Sequence, residues 1–170
     1  MALRRLLAGL VLTGLALALA APVTASADVK AIGRFEDWRV YTEQVGKDLV
    51  CFAATTANDM APKSFDHGEV NFFVASWRSG AASNQPSLTV GYELRSDLAP
   101  QAVIGGERFK MYAAGKEAFV PDSSERGLLA ALKKGSELRV EAAGAKARTA
   151  YYFSLKGSTD AIDKARALCR

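Results

Sequence analysis

Trp38-Arg39-Val40-Tyr41-Thr42-Glu43 decides the fold class. Trp38, Val40 and Thr42 fall on one side of an extended chain and Arg39, Tyr41 and Glu43 on the other, the period of a strand with one face on a core. The same period recurs downstream. Leu88, Val90, Tyr92 and Leu94 alternate cleanly with Thr89, Gly91, Glu93 and Arg95. Val70, Phe72 and Val74 alternate with Asn71, Phe73 and Ala75, so both faces of that strand are at least partly covered. Leu49 to Ala54 is a short apolar run around Cys51, the pattern of a buried strand. Gly105-Gly106 separates Ala102-Val103-Ile104 from Phe109-Lys110-Met111-Tyr112 as a tight hairpin turn does. Further strands are predicted at 117–120, 137–142 and 149–155.

Two segments switch to helical spacing. Asp122 is placed to cap a helix with Glu125 at its third position, a variant of the capping box. Leu128, Leu129 and Leu132 share a face, Lys133-Lys134 suit the C-terminal dipole, and Gly135 ends the helix. Near the end of the chain Ser158 is placed to cap a helix that turns Ile162, Ala165 and Leu168 inward. Eight or nine short strands and two helices make one mainly-β domain, a two-sheet β-sandwich with one or two short α-helices, including a C-terminal one. The small and polar stretches 57–65 and 79–86 are predicted as loops.

The first 27 residues read differently. Arg4 and Arg5 precede an apolar run of 16 residues from Leu6 to Ala21, Pro22 ends it, and Ala25-Ser26-Ala27 fits signal peptidase. The run is shorter than the roughly 20 residues that span a bilayer, and no basic stop-transfer cluster follows it. A signal peptide over 1–27 is therefore expected, with cleavage between Ala27 and Asp28 and a single domain over 28–170. No cysteine sits just after the apolar run, which argues against a lipid anchor. The expected location is periplasmic or secreted. That domain holds 20 Lys and Arg against 18 Asp and Glu, with the basic residues scattered, so nucleic acid is not an expected partner.

Cys51 and Cys169 are the two cysteines of the chain. In an oxidising compartment an even pair reads as one disulfide, here tying the C-terminus to an early strand. The alternative is pairing of either cysteine with another chain. One histidine and no second cysteine pair make a metal site a poor competitor, and no cofactor is expected.

Catalytic signals are sparse. His67 sits in Phe65-Asp66-His67-Gly68-Glu69, as a general base steered by Asp66 or Glu69, or as a solvent-facing turn residue. No G-x-S-x-G elbow accompanies it. Glu93, Glu107, Glu117, Asp122 and Glu141 are candidates for a glycosidase pair, with solvated strand-edge charges as the plainer account. Most aromatics read as core by alternation, with Trp38 as a core anchor beside the cysteine bridge. Tyr41, Tyr112 and Tyr152 fall on faces shared with charged residues and are assigned a sugar- or protein-binding surface.

Asp37-Trp38-Arg39-Val40 followed by Val50-Cys51 resembles the N-terminal signature of the invasion-associated locus B family. Tyr152-Phe153-Ser154-Leu155-Lys156-Gly157, then Ala161-Ile162 and a cysteine near the chain end, resembles its closing element, and Gly135 with Leu138 and Val140 fits the strand before it. The family often has a cysteine where this chain has Tyr41, and an aromatic where it has Ser158, which marks a divergent, shorter branch. The resemblance implies a secreted bacterial β-sandwich of the cell envelope and carries over no catalytic residue. The leading expectation is an exported, non-enzymatic envelope protein acting through its surface on an envelope component or another protein, with host interaction implied by the family resemblance. A periplasmic glycan- or lipid-binding module is the first alternative, favoured by a concave sheet lined by Tyr41, Tyr112 or Tyr152. A hydrolase using His67 or a carboxylate pair is the second.

Overall fold

The computed structural model describes residues 28–170, so the expected signal peptide lies outside the described residues. In chain order the elements are β1 (Val29–Phe35), β2 (Trp38–Val45), β3 (Asp48–Thr56), β4 (Asp59–Ala61), β5 (Asn71–Trp77), β6 (Gln85–Thr89), β7 (Gln101–Ile104), β8 (Glu107–Lys110), β9 (Tyr112–Ala114), β10 (Glu117–Phe119), α1 (Asp122–Lys134), β11 (Glu137–Ala143), β12 (Arg148–Ser154) and α2 (Ser158–Leu168). The strands form two antiparallel sheets, one in the order β1-β2-β3-β5-β6-β10-β9 and the other β4-β12-β11-β7-β8. The expected mainly-β, two-sheet architecture with a C-terminal helix is what forms, with 48% of the described residues in strands.

The core lies between the sheets. Trp38, Val40, Phe72, Val74 and Leu88 of the larger sheet and Leu138, Val140, Tyr151 and Phe153 of the smaller are all buried. Phe72 meets Phe153 across the gap with ring centroids 5.8 Å apart. Helix α2 packs on the same inner face, turning Ala161, Ile162 and Ala165 into the core. Cys51 and Cys169 form the intramolecular disulfide, with Cα atoms 5.8 Å apart, fastening the end of α2 to β3.

Twelve strands stand among the described residues where eight or nine are expected. The predicted strand over 88–95 stops at Thr89, because the chain there crosses from one sheet to the other. Gly91 donates its N–H to the His67 carbonyl at 2.9 Å, and Leu94 bridges to Gly144 beside the smaller sheet. The crossing requires glycines: a Cβ on Gly91 would lie 2.6 Å from the Gly68 Cα. The predicted loops at 57–65 and 79–86 are shorter than expected, since they give up β4 and the start of β6.

The hairpin at Gly105-Gly106 forms as expected, both glycines having positive φ (55° and 90°), which the tight turn between β7 and β8 demands. Both helices appear, but neither expected side chain caps. Asp122 is the first helical residue behind Pro121, and Ser158 the first behind Gly157. Ser158 and Thr159 instead donate their hydroxyls to the Leu132 and Lys133 carbonyls at 2.8 and 3.0 Å, satisfying the open end of α1. Lys133 also pairs with Asp163 at 2.5 Å, so the two helices hold each other.

Trp38 is a core anchor, fully buried, with its indole N–H donating to the Ser154 carbonyl at 3.0 Å. It does not sit beside the disulfide. Register places Cys51 opposite Thr42, four residues along β2 from Trp38 and thus roughly 13 Å away along the strand.

Candidate functional site

The outer face of the larger sheet carries the most distinctive side-chain arrangement. Adjacent residues of a strand point to opposite faces, so residues directly opposite one another across a sheet share a face. Following the register outward from β1 gives one continuous row, Arg34, Arg39, Ala54, Phe73, Ser87, Phe119 and Tyr112, one residue from each strand. A second row beside it runs Ala31, Tyr41, Phe52, Ala75 and Gln85. Both helices pack on the inner side of the sheet, so this face is left to solvent.

The aromatics on it touch. Tyr41 stacks on Phe52 with centroids 5.3 Å apart, and Phe52 meets Phe73 edge-on at 5.8 Å. Tyr112 lies against Phe119 at 5.8 Å on the far edge. Ala54 is small and stands between Arg39 and Phe73, so the surface dips there. The dip is a groove of about 520 Å³, with Tyr41, Phe52 and Phe73 along one side and Arg34 and Arg39 at one end. Thr56, Asn58, Glu69 and Asn71 supply its polar side. Thr56 donates to the Asn71 side-chain oxygen at 2.7 Å, which fixes that amide.

Of the three tyrosines expected to form a binding surface, two share this face. Tyr41 lines the groove, and Tyr112, 49% exposed, ends the long row. Tyr152 is on the opposite side of the molecule, on β12, in register with Arg139 and Asp59 and back to back with inward-facing Tyr151 and Phe153. Phe52 and Phe73 complete the wall although the sequence places both in buried surroundings. The run 49–54 is not buried throughout, for Phe52 and Ala54 turn outward while Cys51 and Ala53 turn in.

His67 is neither a solvent-facing turn residue nor steered by Asp66 or Glu69. It is 6% exposed, and both ring nitrogens are engaged. Nε2 lies 3.0 Å from the Pro62 carbonyl, which can only accept, so Nε2 carries a proton. In the neutral ring Nδ1 then accepts from the Tyr151 hydroxyl at 3.1 Å. Tyr151 in turn accepts from Tyr92 at 2.7 Å, and Tyr92 from Thr149 at 2.6 Å, so every proton of the chain points one way. Burial pushes the Tyr151 hydroxyl far above the ordinary tyrosine range, which keeps it a donor. Asp66 accepts from the Gly68 N–H instead, at 3.1 Å. The chain joins the crossing segment to β12 and is a cross-link between layers.

The candidate carboxylates are dispersed. Glu141 pairs with Arg139 at 2.7 Å and with Arg108 at 3.4 Å. Glu107 is on the edge strand β8, Glu117 on β10, Glu93 in the crossing segment and Asp122 at the start of α1. Partial burial, and then the nearby Asp122 charge, raise the Glu125 carboxyl above its usual range. Among the described residues no cluster of three or more His, Cys, Asp or Glu is arranged to hold a metal ion, and no helix is long and apolar enough to cross a membrane. No family model, curated protein or solved structure matches the chain.

Proposed function

We propose that this protein is an exported, non-enzymatic binding module that holds a glycan on the outer face of its larger sheet. The observation that carries the reading is the Tyr41–Phe52–Phe73 wall beside a groove with polar side chains opposite. The C–H face of a pyranose ring is apolar and lies flat on an aromatic ring, while its hydroxyls need planar amide and carboxylate partners at the edge. Asn58, Asn71 and Glu69 provide that chemistry on the other side of the groove. An acyl chain wants an enclosed apolar slot, and this groove is open and half polar, so a glycan is the better fit of the two ligands.

Export through the signal peptide at 1–27, a periplasmic or secreted location and kinship with the invasion-associated locus B family belong to the same proposal. The buried disulfide supports an oxidising compartment. A hydrolase has less support, since both ring nitrogens of His67 hold the fold together and Glu141 is engaged by two arginines.

A glycan array probed with the wild-type domain and with the Phe52→Ala and Phe73→Ala variants tests the reading. Binding that both variants weaken by tenfold or more is the expected result. Array binding unaffected by either substitution would place the ligand on another face.

A further inference from the structure

The charged end of the groove specifies more than its aromatic side. Arg34 and Arg39 stand directly opposite each other on β1 and β2, at an edge of the sheet. Like charges in directly opposed positions destabilise a strand pair, and sheets normally separate them or place a carboxylate between. Here neither guanidinium has a carboxylate within 4.0 Å among the described residues. Arg34 is oriented by its Nε, which donates to the Glu36 carbonyl at 2.7 Å. Two nitrogens of that guanidinium and the whole of Arg39 remain available.

We infer that the groove's ligand is an acidic sugar of the uronic-acid class, its carboxylate gripped between Arg34 and Arg39 while its ring lies over Ala54 against Phe52 and Phe73. The inference rests on the glycan reading above and adds the charge of the ligand. Guanidinium groups present planar forks of donors that match a carboxylate, and such charge-assisted bonds are about twice as strong as neutral ones. The groove also contains Asp37 and Glu69, so its four charges sum to zero. That balance suits a monoanionic carboxylate better than a dianionic phosphate. The ligand carboxylate supplies the direct ion-pair partner that the opposed arginines lack, since neither Asp37 nor Glu69 lies within 4.0 Å of them.

Calorimetric titration with a panel of glucuronate, galacturonate and mannuronate trisaccharides, each beside its carboxyl-reduced neutral partner, tests this. At least one acidic trisaccharide should bind at least about tenfold more tightly than its neutral partner. The preference should shrink several-fold in Arg39→Gln and vanish in the Arg34→Gln/Arg39→Gln double variant. Without ligand the double variant should melt no lower than wild type, since a repulsion has been removed. That readout separates loss of recognition from loss of fold. Equal binding of acidic and neutral forms would overturn the inference and leave the glycan reading standing. An acid preference that survives in the double variant would overturn the assignment to these arginines. Absence of binding by the whole panel would overturn the inference, and absence of binding on the glycan array as well would overturn both.

Discussion

Replacing Cys51 and Cys169 together by alanine should lower stability without dissolving the fold. The bridge joins positions 118 residues apart, closing a loop that contains nearly everything after β3. Chain entropy for a loop of that size gives a stabilisation of roughly 5 kcal/mol, and residual structure in the unfolded chain lowers it to about 3 to 5. Helix α2 has other attachments: buried Ala161, Ile162 and Ala165, the Ser158 and Thr159 bonds to α1, and the Lys133–Asp163 pair. The loss should therefore act on the unfolded chain while α2 stays docked. At roughly 2 to 4 °C per kcal/mol for a domain of this size, the melting temperature should fall by about 6 to 20 °C. Thermal unfolding of oxidised, reduced and double-alanine protein, followed by circular dichroism, provides the comparison. The reduced and alanine forms should melt close together and keep the full helical signal at room temperature. A fall of less than about 3 °C would refute the entropic argument, and a loss of helix with the sheets intact would show that the bridge alone holds α2.

Tyr151→Phe removes the hydroxyl between His67 and Tyr92 and should cost about 1 to 3 kcal/mol in denaturant unfolding, because the buried partners lose their mate. The same hydroxyl predicts a pH effect. Folding keeps Tyr151 protonated above its ordinary value, so its contribution is complete below about pH 10 and declines as the pH climbs beyond that. Tyrosinate absorbance should show one tyrosine ionising only as the fold opens, and Tyr151→Phe should abolish that late step and flatten the alkaline fall in stability. Gly91→Ala should cost upward of about 2 kcal/mol, since its Cβ would sit 2.6 Å from backbone atoms of both Gly68 and His67. A midpoint of unfolding equal to wild type would contradict the close approach. Phe72→Ala should cost about 3 to 5 kcal/mol and the outward Phe52→Ala much less, a difference that chemical denaturation reads directly.

Much of the architecture was legible from alternation. The strands at 117–120, 137–142 and 149–155, the glycine hairpin and both helices stand within a residue or two of their expected places. β1 escaped because Val29-Lys30-Ala31-Ile32-Gly33-Arg34-Phe35 is an edge strand exposed along most of its length, interrupted by an irregularity at 31–33, and edge strands carry little apolar period. The strand over 88–95 was overextended because Tyr92 and Leu94 keep the buried parity of a strand while the chain is crossing between sheets. They face the core by a different route.

The binding face was half legible. Tyr41 was recognisable because Arg39 and Glu43 flank it on its own strand, and Tyr112 because Lys110 stands two residues before it in the sequence, although Lys110 belongs to β8 of the other sheet. Phe52 and Phe73 were not, since a large apolar residue on an uncovered sheet face has the same local sequence as one under a second layer. Only pairing register places Phe52 beside Tyr41 and Phe73, and register is a property of strands far apart in the chain. His67 failed for a related reason: its partners Pro62 and Tyr151 come from a preceding turn and from a strand 84 residues later.

The most direct test of the central claim is an NMR titration of the isotopically labelled domain with the tightest saccharide from the array. Shifts concentrated on Arg39, Tyr41, Phe52, Ala54 and Phe73, with Tyr152 and the smaller sheet undisturbed, are the predicted result. Shifts centred on the smaller sheet or on the His67 segment would contradict the assignment of function to this face.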